Sequence, residues 1–487
     1  MTGGLMQLVA YGAQDVYLTG DPMITHFKTV YRRHTNFAME CVEHTFNGTV
    51  NFGTTVSTII SRNGDLIHGA YIQTTLPDLA MDVDTTVGRW TENIGHHLIK
   101  QVEIEIGGQL IDRHYGEWLD IWAQLTVPAG HKLGYNQLIG QGRPDALGRP
   151  TGLQKDYDNG MTPGQTLYIP LHFWFCRNVG LALPLIALQY HAVKINVTFA
   201  DTSDLVRTGS ILTTNRLSNT KLWVDYIYLD VEERRKFSQT AHEYLIEQLQ
   251  FNGGQLVTAN RGRADATTVQ VNVDFNHPVK ELIWVVQPVN YLTGNNRQPS
   301  NYTGVISQMP IGQTNEQVDD YTSLNLIKLL NDVRRLNQNS VVPPGGLNPV
   351  INAALTINGY VRVSQPGDYF NKMQPMKYHT NIPESPGINV YSFAVAPEDI
   401  QPSGSCNFSR IDKAFLTLTL ATLQRADNIM EYPETVGITV NTDGTEIITG
   451  TTITPTYASA GCNVNLYAVN YNILRIMSGL GGVAFIN

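Results

Sequence analysis

Histidine and glutamate residues near the middle of the chain are the first candidates for chemistry. His242-Glu243 begins like the helix of a zinc protease, in which two histidines four residues apart bind the metal. Ile246 stands where the second histidine is required, so the motif is incomplete. Glu243 and Glu247 would share one face of the same predicted helix. Without metal ligands beside them they indicate a solvated helix surface.

A second pair of carboxylates, Glu103 and Glu105, lies two residues apart. Paired carboxylates can act as acid and base on glycosides. Here they alternate with Val102, Ile104 and Ile106, and that alternation is typical of the solvent face of a half-buried strand. We therefore interpret the pair as structural.

Two further segments resemble ligand-binding motifs but do not complete them. Asp156–Gly160 begins like a calcium loop, but the required glycine and distal glutamate are misplaced. Gly479–Gly482 is glycine-rich, yet only five residues follow it, which leaves no room for a phosphate-binding helix. The sequence thus predicts no catalytic residue, no cofactor and no metal site.

The elements that would position any site are mostly strands. Alternating apolar and polar residues, bounded by turn residues, recur along the whole chain and predict an all-β protein. The predicted strands are Tyr71–Leu76, Val102–Ile106, Tyr168–Phe175, Val193–Phe199, Leu222–Leu229, Val269–Val273, Asn389–Val395, Phe415–Leu420 and Val464–Ala468.

Helical patterns are rare. The capping-box spacing of Thr240 and Glu243 predicts a helix through Gln248. Apolar residues at helical spacing predict a second, amphipathic helix over Ser323–Leu336. Long loops rich in Gly, Pro, Asn or Thr take up much of the remaining chain.

The two halves of the chain repeat one pattern. A hairpin turn at Ile106–Gly108 has a counterpart at Ile357–Gly359, and similar strands follow each of them in the same order. We interpret the halves as two copies of one β-domain. The expected organisation is an arm over 1–26, a first domain over 27–236 and a second domain over 237–487.

Composition limits the possible partners and the compartment. Charged residues make up 15% of 487 residues, and the net charge is -9, which disfavours a protein that coats nucleic acid. The longest strongly apolar stretch, Val179–Leu188, contains Pro184 and is too short to span a bilayer. The N-terminal residues lack the pattern of a secretory signal, so we expect a cytosolic chain.

Three smaller groups of residues are assigned by context. The basic and aromatic cluster Phe27–Phe37 suits either a nucleic-acid surface or a domain or subunit contact, and the acidic net charge favours the contact. Glu232–Lys236 has mixed charge and is interpreted as a solvated linker or interface. The cysteines are far apart, so we expect free core thiols at Cys41, Cys176, Cys406 and Cys462.

Long segments of the sequence resemble the major capsid proteins of nucleocytoplasmic large DNA viruses, with the algal-virus branch most similar. Almost the whole chain is covered by the similarity. The segments that carry it are Gly3–Gly20, Phe27–Arg33, Ser61–Leu66, Glu105–Gln109, Gly180–His191, His242–Gln250, Tyr369–Lys372, Gln401–Asp412 and Asn472–Gly479.

The resemblance implies a double jelly roll, that is, two tandem eight-stranded antiparallel β-sandwiches with long loops and a few short helices. It also implies a homotrimer with a six-sided outline that tiles the outer shell of a virion over an internal membrane. Minor capsid and penton proteins would be further partners, and assembly would take place in the host cytoplasm. Three copies of a tandem pair place six similar wedges around one axis, so a trimer can tile a hexagonal lattice.

Some surface features are expected to be specific to this chain. The helix Ser323–Leu336 and the segment Gln338–Asn352 do not follow the family. The sequons begin at Asn47, Asn196, Asn301 and Asn407, and Asn301, in a long polar loop, is the predicted glycosylation site. The apolar segment Gly3–Gly20 is expected to clamp neighbouring subunits or to meet an inner layer.

Two other functions remain open from the sequence. A carbohydrate-binding or attachment jelly roll would bind glycans, such as those of a host surface, through aromatic residues in its long loops. A glycan-processing jelly roll would depend on a carboxylate pair such as Glu103 and Glu105.

Overall fold

The computed structural model describes residues 3–79, 89–141, 164–208, 216–258, 267–289, 292, 299–302, 348–420, 436–440, 446–450 and 461–486. Strands dominate these ranges, as the alternating sequence predicts. None of the helices in these ranges is long and apolar enough to cross a membrane.

The strands of the N-terminal half form two main antiparallel sheets. They are β1 Phe37–Thr45, β2 Thr55–Ile59, β3 Leu66–Thr75, β4 Arg89–Trp90, β5 Ile99–Ile106, β6 Gln109–Tyr115, β7 Thr166–Pro170, β8 Leu183–Pro184, β9 Val193–Phe199, β10 Val206–Thr208 and β11 Ser218–Leu229. One sheet has the order β1-β11-β3-β7, with β8 beside β3, and the other has the order β2-β9-β5-β6.

The strands of the C-terminal half repeat this arrangement. They are β12 His242–Thr258, β13 Thr267–Asn272, β14 Pro278–Pro288, β15 Val350–Ile357, β16 Tyr360–Pro366, β17 Ile388–Ser392, β18 Cys406–Asn407, β19 Ala414–Leu420, β20 Val436–Val440, β21 Glu446–Gly450, β22 Gly461–Met477 and β23 Leu480–Val483. The two main sheets have the orders β12-β22-β14-β17 and β13-β19-β15-β16.

The equivalent strands of the two halves therefore occupy equivalent places. The short strands β8 and β18 also correspond, because β8 pairs with β3 and β18 pairs with β14. Two facing antiparallel sheets with this connectivity form a jelly roll. The chain is a double jelly roll, as the family resemblance implies, and its two similar β-domains are those that the sequence pattern predicts.

Short helices connect the strands. They are α1 Gly3–Val9, α2 Val16–Thr19, α3 Ile94–Leu98, α4 Gly116–Thr126, α5 Ala129–Leu138, α6 Trp174–Arg177, α7 Thr202–Leu205, α8 Val231–Gln239 and α9 Gln374–Tyr378. A π-helical turn, Tyr369–Met373, leads into α9, and single 3-10 turns lie at Val179–Leu181 and Phe408–Arg410.

Each jelly roll has its own apolar core because alternate residues of its strands point inward. Ile72, Ile104 and Ile195 belong to the first core, and Leu282, Leu355 and Leu418 belong to the second. The long strands β12 and β22 also reach the first core, which contains Ile246 and Leu474. Strands β12 and β22 of the second domain thus contribute side chains to the core of the first domain.

The predicted helix over Thr240–Gln248 is wrong. His242 begins β12, which pairs with β22 from His242–Ile476 onward. Burial alternates up to Ile246, which is fully buried and follows the exposed Leu245. Pairing with a distant strand overrides the local capping pattern.

Other expectations need smaller corrections. The predicted strand Tyr168–Phe175 ends at Pro170 and gives way to α6. The mixed-charge run Glu232–Lys236, predicted as a solvated linker or interface, lies in the helix α8, which has no buried residue and connects β11 to β12. The predicted helix Ser323–Leu336 lies outside the described residues.

Candidate assembly surfaces

The surface of α4 joins the two jelly rolls. Its residues Trp118, Ile121, Trp122 and Leu125 are buried in a third apolar cluster. The C-terminal domain supplies the other side of this cluster from β14, β17 and β22, and the residues are Ile283, Val285, Ile388, Val390, Tyr467 and Val469. We call this contact the seam.

The seam explains the sequence of β14. Every residue from Val279 to Pro288 is buried. One face of the strand packs into the second core and the other face packs against α4. A strand covered on both faces is a continuous apolar run instead of an alternating one. The period-two pattern therefore does not find β14, although a short apolar run between two prolines indicates it.

Glu117 fixes the start of α4 to the C-terminal domain. Its Oε2 accepts hydrogen bonds from the hydroxyl of Tyr467 and from Asn465 Nδ2, the latter at 2.7 Å. Burial raises the pKa of Glu117 to about 7, although both donors favour the carboxylate. The seam therefore contains a carboxyl group that titrates near neutral pH.

Buried ionic groups surround the apolar part of the seam. The fully buried Lys280 lies 2.5 Å from Glu247 Oε1, and Arg177 binds Glu247 Oε2. The guanidinium of Arg177 also lies 4.2 Å from the ring centre of Trp122. Each charge has an opposite partner, as burial of an ion requires.

A histidine forms a second buried ionic group. His379 lies 3.1 Å from Glu281 and 3.0 Å from Glu398. Burial disfavours the protonated ring, but the two carboxylates outweigh burial and raise the pKa of His379 to about 9. His379 is therefore a cation at neutral pH.

A third polar cluster lies behind α4. Asp120 accepts a 2.7 Å hydrogen bond from Asn93, and its nearest oxygen lies 3.6 Å from His96 Nδ1. Burial favours the neutral acid, yet His96 and Asn93 hold the pKa of Asp120 below its usual value. The adjoining cavity of about 20 Å³ has room for a single water. The cluster resembles part of a catalytic constellation, but it has no space for a substrate.

The outer face of the sheet β1-β11-β3-β7 carries aromatic side chains, of which Tyr168 is exposed and Tyr71 and Trp223 are half-buried. Tyr71 stacks on Trp223 with ring centres 6.2 Å apart, and Tyr168 lies 6.3 Å from Tyr71. Trp223 donates a 2.7 Å hydrogen bond to Gln73, which holds the indole in place. We call these four residues the aromatic face. The corresponding sheet face of the C-terminal domain is covered by α4.

The N-terminal arm and the residues that follow it, up to residue 36, form a third surface. Residues 3–36 include no buried residue, and the side chains of Tyr17, Met23 and Phe27 are more than 90% exposed. Exposed apolar side chains in such number indicate a surface that another molecule covers. The basic residues Lys28–Arg33 lie on the same exposed segment.

The sequence matches two family models that together span most of the chain. One, described as "Major capsid protein N-terminus", matches residues 25–230. The other, described as "Large eukaryotic DNA virus major capsid protein", matches residues 233–482.

Similar proteins cover the whole length. The chain is 42% identical to the major capsid protein of Phaeocystis pouchetii virus and 41% identical to that of Pyramimonas orientalis virus, with 100% of each chain covered. A solved structure of the PBCV-1 virus capsid is 33% identical, with a TM-score of 0.68 over 95% of this chain and 100% of that chain.

The chain belongs to the major capsid protein family of large eukaryotic DNA viruses. It is a major capsid protein of a large icosahedral DNA virus, and such proteins are virion components. Its relatives are named for a structural role. The family suggested by the sequence is confirmed.

The candidate catalytic pairs of this capsid protein are held in ion pairs. Glu103 lies 2.6 Å from Arg113, and Glu105 lies 3.8 Å from Lys194. Glu243 and Glu247 lie on a strand, where Glu243 binds Arg475. Within the described ranges, no group of three or more acidic, histidine or cysteine side chains could hold a metal ion.

The glycine-rich segment near the C-terminus, interpreted from the sequence as a turn, is one only at its start: Gly479 lies in the turn between β22 and β23, and Leu480–Gly482 lie in β23. The calcium-like segment Asp156–Gly160 falls outside the described residues. All four cysteines are free. Cys462 is buried as expected, but Cys41 is exposed on the outer side of β1.

The setting predicted for Asn301 is not the one observed. Its side chain is 7% exposed instead of lying in an open polar loop. Asn47 and Asn407 are exposed, and Asn196 is half-buried beside Glu105. The adjacent residues Ser300 and Tyr302 contact His97 and Asp120, which lie 203 and 182 residues earlier in the chain, and sequence patterns do not show such contacts.

Proposed function

We propose that this capsid protein forms homotrimers with a pseudo-hexagonal outline, and that these capsomers tile the outer shell over an internal membrane. One observation carries the proposal. The two halves of the chain have the same sheet orders, so three chains present six similar sandwiches. A threefold particle built in this way can pack on a hexagonal lattice.

The proposed domain organisation follows the two repeats. Residues 1–26 form the arm, 27–236 the first jelly roll and 237–487 the second. The spans of the two matching family models support a boundary near residue 232. The arm, with its exposed apolar side chains, would bind neighbouring capsomers or the layer beneath the shell.

Further partners are proposed from the place of the protein in the virion. Minor capsid and penton proteins would bind the inner side and the vertices of the shell. The membrane would lie beneath, and host-surface glycans would contact the outer loops. The net charge of -9 disfavours direct contact with the genome. Assembly would take place in the host cytoplasm.

Glycosylation of Asn301 also stays a proposal. Because the folded chain buries this side chain, the glycan would have to be attached before the surrounding chain folds. Mass spectrometry of peptides from virions would locate modified asparagines. An unmodified Asn301 beside a glycan at Asn47 or Asn407 would contradict the proposal.

Light scattering of the purified protein, followed by electron microscopy of the same fraction, tests the assembly proposal. We expect three times the chain mass of 54.1 kDa and six-sided particles that associate into sheets. A monomer that stays monomeric when expressed with other capsid components, and that binds glycans, would instead support an attachment protein.

A further inference from the structure

The repeat within the chain is regular enough to match individual residues. Strands β5 and β6 and strands β15 and β16 correspond at a constant offset of 251 residues, as Ile99 corresponds to Val350 and Tyr115 to Pro366. Each pair of strands is followed at once by a glycine, Gly116 or Gly367. A Cβ at either glycine would meet the carbonyl oxygen of the residue that begins β5 or β15.

At the same offset of 251 residues, α4 corresponds in sequence to the π-helical turn and α9. Leu119 of α4 lies in the first core, and its counterpart Phe370 lies in the second core. The inward sides of the two helical segments are therefore equivalent. On the outward side the same offset matches Trp122 with Met373 and Leu125 with Met376, whereas Tyr369, the counterpart of Trp118, packs against the second core.

The outward sides differ in what covers them. Trp122 and Leu125 of α4 are buried in the seam. Their counterparts Met373 and Met376 are 50% and 61% exposed. Ile121, also buried in the seam, corresponds to the exposed Lys372. We call Met373 and Met376 the methionine face.

The surface that receives α4 also has an uncovered counterpart. In the C-terminal domain, Ile283 pairs with Tyr467 across β14 and β22, and both contact α4. In the N-terminal domain, Tyr71 pairs with Trp223 across β3 and β11 at the equivalent place in the sheet. These two residues, which are half-buried within one chain, belong to the aromatic face.

We infer that the methionine face of one copy packs on the aromatic face of a second copy, repeating between chains the contact that α4 makes within the chain. This inference rests on the proposed trimer and identifies the surfaces that build it. Each copy has one face of each kind, so the contact is head-to-tail and can close into a ring. Methionine side chains pack favourably on aromatic rings and adapt to their shape.

The charges at the edge of the two surfaces are complementary. Glu117 accepts a hydrogen bond from Asn465 in the seam. The counterpart of Glu117 is Asp368, whose side chain is 71% exposed. Asn465 precedes Tyr467 by two residues in β22. The residue that precedes Trp223 by two positions in β11 is Lys221. Within one copy Asp368 lies 2.9 Å from Lys372, and Lys221 lies 2.6 Å from Glu43. The repeat of the seam brings this acidic side chain of one copy toward this lysine of the next, so the two ion pairs would join at the contact.

The test compares two double variants of the full-length protein by light scattering over a range of concentrations. Met373→Asp with Met376→Asp places two carboxylates in the proposed contact. We expect this variant to raise the apparent dissociation constant of the trimer by at least about 100-fold, because the contact would bury unpaired charges. Met373→Leu with Met376→Leu keeps the apolar surface and should leave the trimer intact. Both variants should keep the thermal unfolding of the monomer, since the native side chains are largely exposed.

A charge exchange gives a second, independent test. Asp368→Lys alone should weaken the trimer, and adding Lys221→Asp should restore it. If the wild type is a trimer and the aspartate double variant is equally trimeric, the inferred contact is wrong while the proposed function stands. A wild type that never trimerises would overturn the proposed trimer and the contact together.

Discussion

His379 Nε2 lies 3.1 Å from Glu281 Oε2, and neither side chain is exposed to solvent. Glu281 belongs to β14, the strand that is buried on both faces and contributes to the seam. Because Glu398 lies on the other nitrogen of the ring at 3.0 Å, the histidine bridges two acidic residues. Its protonation state therefore affects the stability of the C-terminal domain.

The protonated His379 should make the stability of the chain depend on pH. Its pKa is about 9 when folded, against 6.5 for an unperturbed ring. Its contribution is fully present below pH 6.5 and is lost as the pH rises through 9. We expect the melting temperature to fall over this range, and His379→Gln to remove that part of the slope. The variant should also lose about 3–5 kcal/mol of stability at pH 6.5, because it leaves buried carboxylates unpaired.

The control for this measurement is His131→Gln, since His131 is exposed on α5. It should leave the pH profile unchanged. If the melting temperature falls with pH equally steeply in the wild type and in His379→Gln, His379 is not the titrating group.

The titration of Glu117 should change the stability of the chain over a lower pH range than the titration of His379. Its pKa is about 7 in the folded chain, against an ordinary value of 4.5. A raised pKa of a carboxyl group favours the folded state below 4.5, and this advantage is lost as the pH rises through about 7. Glu117→Gln stays neutral, so its melting temperature relative to the wild type should rise between pH 5 and pH 8. A difference in melting temperature between Glu117→Gln and the wild type that stays constant from pH 5 to pH 8 would show that Glu117 is not the titrating group.

Trp122 should contribute strongly to the seam. Its ring is almost fully buried and lies under the guanidinium of Arg177. Trp122→Ala should lower the free energy of unfolding in urea by about 3–5 kcal/mol, because it leaves a cavity between the domains. Leu133→Ala on the exposed side of α5 is the matched control and should change stability by no more than about 0.5 kcal/mol. Similar losses in the two variants would rule out a specific role for the seam.

Removal of the N-terminal arm should separate folding from assembly. Residues 3–36 contain no buried side chain, so deletion of residues 1–20 should leave the melting temperature of the purified protein unchanged. We expect the deletion to abolish assembly into sheets or shells, which electron microscopy would record. Normal shells from the shortened protein would refute a clamping role for the arm.

The sequence alone gives much of the fold because strand alternation and tight turns are local signals. The hairpin turns form as predicted, with positive φ at Gly107 and Gly108 and at Asn358 and Gly359, where asparagine and glycine are tolerated. The repeat of the two halves could be inferred from the same local patterns, whereas the family was inferred from longer segments that resemble known capsid proteins. The helix predicted at Thr240–Gln248 was wrong because that segment pairs with β22, which begins at Gly461. Patterns over a few neighbouring residues do not detect so distant a partner.

Only the tertiary structure decides which surfaces are covered. Trp118 and Tyr467 have ring centres 5.5 Å apart in the seam, although they come from different domains. Their apolar character indicates burial, but it does not say against what, because apolar contact is not directional. The sequence determined strands, turns and repeat through spacing along the chain. The seam, the buried His379 and the exposed methionine and aromatic faces depend on contacts between distant segments, which only the folded chain brings together.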